Sequence, residues 1–352
     1  MTVMVRSFAK INLGLCIGAL RPDGFHELRT VYQTIALHDV IRVQVGRGSG
    51  IEIRCDHPRV PKDETNTCYR IAEHALAALQ AGGRVTIAID KRLPVQGGLG
   101  AGSGNAVATL LALERALQKK LPGAERLRIA AEVGSDLPLF FVGGTVLGVG
   151  HGEEVYPLQD LPSVCCVVAT PEIGVSTPQA FADWDAMMGL EEEYAAELRS
   201  ARTAEGGRPH VDRADARSKL TPSPPSDRIM GFGRAVSAWL SGQPLSGVPV
   251  SKGRGRAETS LLDLVRTGIE NDFERVVFPK HPELREVKSV LERAGAFYAS
   301  LSGSGSALFG LFRSRAAGLK AEATLRRGGI PAVATTTMTR QQYWRKFPVS
   351  GF

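Results

Sequence analysis

Five glycines fall within eight residues of this chain: Gly97, Gly98, Gly100, Gly102 and Gly104, in the run Pro94-Val95-Gln96-Gly97-Gly98-Leu99-Gly100-Ala101-Gly102-Ser103-Gly104-Asn105. A β-branched run, Val85-Thr86-Ile87-Ala88-Ile89, precedes them. Apolar residues at helical spacing follow, from about Ser103 to Gln118. Glycines at a strand-to-helix junction let successive backbone N–H groups turn inward as an anion nest. The helix adds its free N–H groups and the positive end of its dipole. A phosphate chain suits such a cradle. A plain flexible connector is the competing reading, because short glycine runs also occur without a ligand. There is no G-K-[ST], so this is not a Walker-type loop. Ser103 stands where the third glycine of G-x-G-x-x-G would follow Gly98 and Gly100, and the chain has neither D-F-G nor H-R-D. Dinucleotide-binding and protein-kinase folds therefore lose support.

The rest of the chain alternates strand-like and helix-like patterns. Residues 3–18, 28–37, 40–45 and 51–55 read as strands, Asn66 to Leu79 and Leu127 to Val133 as helices, and 139–170 as strands again. Helices are expected near Ser260–Val276 and Pro282–Ala294. A strand, the run Ser300-Leu301-Ser302-Gly303-Ser304-Gly305-Ser306, a strand Ala307–Phe312, a helix and a final strand pair follow. This pattern predicts a mixed α+β fold with two packed lobes. Residues 185–257 differ in composition, with Glu191-Glu192-Glu193 and the loop-like Thr221-Pro222-Ser223-Pro224-Pro225-Ser226, and are expected to form a mobile insertion.

Composition narrows the partners. Net charge is +7, which suits polyanionic small molecules as well as nucleic acid, but no basic stripe interleaves with aromatics and aromatics are only 6%, so nucleic acid is not an expected partner. The five cysteines are odd in number and lack C-x-x-C spacing, which points to reduced, mostly buried thiols rather than a disulfide framework or zinc site. Arg6 and Lys10 ahead of Ile11–Leu20 superficially suggest a signal peptide. Asn12 interrupts that run, and Arg21-Pro22-Asp23-Gly24 follows in place of a cleavage site, so it reads as a strand entering a turn. No stretch reaches the roughly 20 apolar residues of a membrane helix. A cytoplasmic protein without a membrane partner is expected.

Four blocks, in order and at matching spacing, resemble those of the galactokinase, homoserine kinase, mevalonate kinase and phosphomevalonate kinase (GHMP) superfamily. Within it they are similar to the 4-diphosphocytidyl-2-C-methyl-D-erythritol kinases. The blocks are Phe8-Ala9-Lys10-Ile11-Asn12-Leu13 with Arg21 to Leu28; Pro94 to Ala106; Gly134-Ser135-Asp136-Leu137-Pro138-Leu139-Phe140-Phe141; and Ser302 to Ser306. The resemblance covers 3–181 and 258–313 and is poor through 185–257. It implies a two-lobed GHMP-kinase fold. An N-terminal ribosomal-protein-S5-domain-2-like lobe would form an ATP-binding domain over 1–160. A ferredoxin-like C-terminal lobe would cover 161–352. The implied reaction moves the γ-phosphate of ATP to a small-molecule alcohol, with Mg²⁺ arriving on the nucleotide.

The resemblance also implies roles for individual residues. Asp136 would be the catalytic base, a lone carboxylate among apolar residues suited to taking a proton from an alcohol; the competing reading is a turn-forming aspartate at a helix end. Lys10 would be its partner, where an ordinary strand lysine faces solvent. Pro94, Gly97, Gly98, Leu99, Gly100, Ala101, Gly102, Ser103 and Gly104 would hold ATP, with Ser103 near the phosphates and Mg²⁺ or acting as an N-cap. Asn66 fits either the adenine or an N-cap. Asn12, Phe25 and His26 would bind the substrate, Phe25 stacking on cytosine and His26 hydrogen-bonding its edge. Phe181 is a second stacking face or a core aromatic. Ser302, Gly303 and Ser304 would close on the substrate. This chain departs from the family in Phe25 for tyrosine, Gly104 for serine and Gln96 for glycine. Two alternatives remain: a sister kinase acting on homoserine or mevalonate, and a non-catalytic nucleotide-binding relative.

Overall fold

In the computed structural model, residues 1–95, 97–189, 225–241 and 269–350 are described. Two long antiparallel strands, β1 (Thr2–Leu20) and β2 (His26–Gly46), form its spine. The burial of β1 explains its place. Alternation as far as Ser7 matches a sheet covered on one face, and continuous burial from Phe8 to Gly18 matches a strand covered on both. β3 (Ile51–Arg54) pairs in parallel with β4 (Arg84–Asp90), which pairs with β2. β5 (Thr145–Val149) joins the distal half of β2, and β6 (Glu154–Pro157) joins β5. Helices α1 (Thr67–Ala78), α2 (Ala101–Leu117) and α3 (Gly123–Val133) cover one face of this sheet. They bury Ile71, Leu110, Leu113 and Ile129 against Val3, Val5, Ile41 and Ile87.

A second sheet has the order β10-β7-β9-β8, from β7 (Cys165–Ala169), β8 (Tyr298–Leu301), β9 (Leu308–Phe312) and β10 (Ala332–Thr336), all antiparallel. Its core includes Val167, Phe312, Leu291 and Leu325. A third cluster joins the two sheets: Ala9, Ile11 and Leu13 of β1 pack with Leu99, Phe232, Ala307 and Phe309.

Several local expectations change. Residues 139–142 form a short helix, α4 (Leu139–Val142), where strands were expected, since a short apolar run carries no period to separate the two. A helical stretch α5 covers 177–189. Within the expected insertion, Pro225–Ser241 forms helix α6, which buries Ile229, Phe232 and Val236, while 190–224 and 242–257 lie outside the described residues, as does Gln96. Of the helix expected at Ser260–Val276, residues 260–268 lie outside the described residues; Asn271 bridges to Leu15 of β1, and α7 (Glu274–Lys280) follows. α8 (Pro282–Arg293) and α9 (Arg315–Arg327) follow. The last strands do not pair with each other. β10 joins β7, whereas α10 (Arg340–Lys346) and β11 (Pro348–Ser350) return to the first lobe, with β11 on β1 and Tyr343 and Phe347 in its core. Among the described residues, no helix is long and apolar enough to cross a membrane.

Candidate active site

The glycine run lies between β4 and α2 beside a cavity of about 360 Å³. Asn66, Thr67, Pro94, Gly97, Gly98, Leu99, Gly100, Ala101, Gly102 and Ser103 all line it. The N-termini of α1 and α2 thus meet at one cavity, joined by the Thr67 hydroxyl, which donates to Gly102 O at 3.0 Å. The N-terminus of α2 carries no side-chain cap, so its N–H groups and those of the glycine run make an anion site from backbone alone. Gly100 ends the loop at φ 68° as the α2 N-cap, so Ser103 lies inside the first turn and is not the cap. Asn66 does cap α1: its Oδ1 accepts from Cys68 N at 2.9 Å, and it lines the cavity as well. Gly104 faces β1, where a Cβ would stand 2.9 Å from Ser7 Oγ and 3.0 Å from Phe8 O. A serine there would not point into this cavity, so no phosphate-facing hydroxyl is lost at that position.

Behind the loop, the buried Asp39 accepts from Lys91 Nζ at 2.5 Å, Arg92 N at 2.7 Å, Leu93 N at 2.8 Å and Asn105 Nδ2 at 2.9 Å. This carboxylate pins both ends of the glycine loop. Asp39 follows a histidine within a long strand, and nothing in its sequence neighbourhood signals that role.

Leu99 O accepts from Lys10 N at 2.9 Å, which ties the loop to β1. The β1–β2 register shifts between Phe8 and Ala9 and again between Asn12 and Gly14, bracketing the segment that carries Lys10 and Asn12. Such bulges re-aim side chains. Residues two apart on a strand share a face, as do cross-strand partners. Lys10, Asn12, Thr30 and Tyr32 therefore project together, with Asn12 opposite Tyr32. Lys10 Nζ donates to Asn12 Oδ1 at 2.7 Å, and Asn12 Nδ2 donates to Thr30 Oγ1 at 2.8 Å. Asn12 is thus satisfied through its neighbours, as a buried amide requires. Lys10 Nζ also lies 3.3 Å from Asp136 Oδ2, the lysine side chain 4% exposed and the aspartate 34%. The apolar surroundings expected for Asp136 are replaced by an ammonium on one oxygen and, on the other, the Tyr32 hydroxyl donating to Oδ1 at 2.9 Å.

The 302–306 loop closes over this group. Ser302 Oγ donates to Gly98 O at 3.0 Å and Ala307 N to Gly97 O at 3.1 Å. A Cβ on Gly303 would lie 3.4 Å from Asn12 Oδ1 and 3.5 Å from Lys10 Nζ. Asn271 Nδ2 donates to Leu301 O at 2.9 Å and Gly303 O at 2.8 Å, holding the loop from behind. Ser304 shares a 2.6 Å hydrogen bond with Thr177, at the start of α5.

At the far end of the cleft the expected pair divides. His26 is buried and stacks on Phe181, with ring centroids 5.2 Å apart and planes 6° from parallel. Its Nδ1 lies 3.1 Å from Gly18 O, while Nε2, 3.1 Å from Asp185 Oδ1, makes no well-aligned hydrogen bond. Phe181 also meets Phe273 edge-on at 5.0 Å, so it packs as a core aromatic while its ring borders His26. Phe25 points the other way, exposed, against His151 at 5.0 Å. The Gly150-His151-Gly152 run links β5 to β6. It carries His151 and adjoins Asp136, for a Cβ on Gly152 would stand 3.9 Å from Asp136 Oδ1. Among the described residues, no three His, Cys, Asp or Glu side chains group as metal ligands.

The sequence matches the GHMP kinases N terminal domain over residues 66–144 and the GHMP kinases C terminal domain over 257–330. It is 34% identical over 347 residues to a 4-diphosphocytidyl-2-C-methyl-D-erythritol kinase of Solibacter usitatus, covering 97% of this chain and 92% of that protein. A kinase of the same name from Acaryochloris marina is 34% identical over 308 residues, 87% of this chain and 86% of that one. The fold matches a crystal structure of 4-(cytidine 5'-diphospho)-2C-methyl-D-erythritol kinase with a TM-score of 0.65 at 28% identity, over 95% of this chain and 98% of that one. It matches homoserine kinase from Cytophaga hutchinsonii equally well, at 0.65, but with 19% identity. That second likeness shows only the shared GHMP-kinase fold. Identity along nearly the whole chain, with both domain matches and one shared fold, establishes that this chain belongs to the 4-diphosphocytidyl-2-C-methyl-D-erythritol kinase family of GHMP kinases.

Proposed function

We propose that the protein transfers the γ-phosphoryl group of ATP to the 2-hydroxyl of 4-diphosphocytidyl-2-C-methyl-D-erythritol, releasing ADP and the 2-phosphate, a step of the non-mevalonate route to isoprenoids. The observation that carries the mechanism is the Lys10–Asp136 contact of 3.3 Å, tied by the Lys10 backbone to the glycine loop at Leu99.

The triphosphate lies on the N–H groups of 97–103 with adenine toward Asn66. Both helix dipoles favour its charge without any reorganisation during the reaction. Mg²⁺ fits this site as a passenger on the triphosphate, since the described residues supply no carboxylate cage and Ser103 offers a hydroxyl beside the loop. Bound there, it would neutralise charge on the phosphate oxygens. The cytosine lies at the His26–Phe181 end, where Phe181 offers an aromatic face and His26 Nε2, 3.1 Å from Asp185 Oδ1 without a well-aligned hydrogen bond, can turn to the base edge. The polyol then extends toward Asn12 and Lys10, with the loop Ser302-Gly303-Ser304 above it. Asp136 takes the proton of the acceptor hydroxyl as its oxygen bonds to the γ-phosphorus. The bond from that phosphorus to the β,γ-bridging oxygen breaks, and its electron pair leaves with ADP. Lys10 orients the carboxylate and stabilises charge on the acceptor oxygen. A placed base contributes typically 10²–10⁴-fold.

The test is a panel of acceptors with purified protein and ATP: 4-diphosphocytidyl-2-C-methyl-D-erythritol, homoserine and mevalonate, followed by ADP release and phosphorus NMR of the product. Phosphorylation of the cytidine-linked polyol alone is expected. Turnover of another acceptor would transfer the assignment to a sister kinase, and ATP binding without turnover of any would favour a nucleotide-binding relative.

A further inference from the structure

We infer that Tyr32 is a positioning residue for the acid–base group, clamping Asp136 Oδ1 through its hydroxyl while Lys10 holds Oδ2. This deepens the proposed function and rests on Asp136 being the base.

Tyr32 belongs to the core of the first lobe and is only 2% exposed. Packing accounts for the ring, since phenylalanine would fill the same volume. It does not account for the hydroxyl, because a buried phenol needs a partner. That partner is the Asp136 carboxylate, on a loop far along the chain, at 2.9 Å. The niche is shaped around the whole side chain. A Cβ on Gly148 of β5 would come within 2.5 Å of Tyr32 Cε2, and one on Gly152 within 2.7 Å of the hydroxyl oxygen. Two glycines on separate turns of chain thus leave room for the ring and for its oxygen.

The charged groups that face this side chain are Asp136, Lys10 and Glu153. Lys10 Nζ lies 5.5 Å from the ring centroid, so the same ring borders the lysine. Burial, followed by the Asp136 carboxylate and Glu153, pushes the phenol well above its usual range, so Tyr32 remains an O–H donor. A half-exposed aspartate otherwise turns readily about its last torsion, which has a broad, roughly two-fold preference. Holding each oxygen from a different strand restricts that rotation. The carboxylate plane is then set before the acceptor hydroxyl arrives, and its unoccupied lone pairs are left for the proton.

The test is Tyr32→Phe, which removes one oxygen and keeps the ring. Loss of a hydrogen bond to a charged group is expected to lower kcat about tenfold. KM for ATP should stay within about twofold, since the hydroxyl removed bonds to Asp136 and to no residue of the glycine loop. The acid limb of the kcat/KM profile should move to higher pH, because the ionised base loses a donor. A purely structural tyrosine would lower kcat and the melting temperature together and leave that limb in place, which would overturn the inference, as would unchanged kinetics. A second measurement is independent of turnover and of the variant's folding. The wild-type protein should show a slowly exchanging phenolic proton in its NMR spectrum that shifts in Asp136→Asn. If no acceptor is phosphorylated, the kinase reading falls, but this signal still decides the contact. A Tyr32 proton that ignores Asp136→Asn would refute it.

Discussion

Gly305→Ala adds one methyl group where the two glycine loops interlock, and its consequences follow from three distances. An ideal Cβ at 305 would stand 2.5 Å from Gly98 N, 2.7 Å from Gly97 C and 2.8 Å from Gly98 Cα. Carbon contacts are comfortable near ~3.5 Å, so the loops must part by about 1 Å. Every obstructing atom is backbone, and no rotamer change relieves it. Gly305 is not in the left-handed region, so the effect is steric rather than conformational. Parting by that amount breaks the bonds from Ala307 N to Gly97 O and from Ser302 Oγ to Gly98 O, now 3.1 and 3.0 Å. Two such bonds are worth about 1 kcal/mol each and overpacking about 1–3 kcal/mol, giving roughly 2–4 kcal/mol of destabilisation if part of the strain relaxes. The melting temperature should fall by about 3–5 °C. Displacing the cradle by about 1 Å relative to Lys10 should cost about a hundredfold in kcat/KM. Thermal melts by circular dichroism and steady-state kinetics measure both. Gly82→Ala is the control, since a Cβ there meets no atom within 4 Å, and it should change neither by more than about twofold. Wild-type kcat/KM in Gly305→Ala would refute the interlock as the frame of the site.

Phe181→Ala should raise KM for the cytidine-linked substrate by about tenfold or more, as loss of one stacked base predicts, with calorimetric ATP affinity unchanged. Lys10→Met should lower kcat by about 10²–10³-fold through loss of charge stabilisation, with the fold preserved by circular dichroism. Burial pushes the thiols of Cys16 and Cys68 up to about 12, so neither should react with a thiol reagent at pH 8 until the protein unfolds. Their folded values lie above the ordinary thiol value of 9.0. The stabilisation is therefore complete below that pH and lost as pH rises from there toward 12, by about 1.4 kcal/mol per pH unit for each thiol that ionises only on unfolding. Chemical denaturation at stepped pH checks the sign.

The glycine loop was legible because its chemistry is local: only glycine tolerates such turns, and the strand before it and the helix after it carry clear periods. The helix boundaries illustrate the limit, for α2 begins at Ala101 rather than Ser103 and Gly100 takes the cap assigned to Ser103. Lys10, Asn12 and Asp136 were found through motif order, and alternation on β1 explains why the first two share a face. What stayed hidden depends on contacts between distant segments. Tyr32 reads as one more aromatic in a buried strand until β5 and the 134–136 turn come beside it. Asp39 reads as a surface carboxylate until Lys91 and Asn105 close on it. Phe25 and His26 look like one unit by adjacency, yet Phe25 ends the turn and His26 opens β2, and their rings part, one against His151 and the other onto Phe181. The final strands were expected as a pair, whereas the helix between them carries β11 back to β1.

Asp136→Asn changes one oxygen for nitrogen at the group that would accept the proton, and leaves the glycine cradle untouched. With saturating ATP and the cytidine-linked polyol, turnover should fall by at least ~10³-fold while the calorimetric affinity for ATP stays within about threefold. Turnover near the wild-type rate in that variant would mean that the Lys10–Asp136 contact is not where the acceptor alcohol is activated.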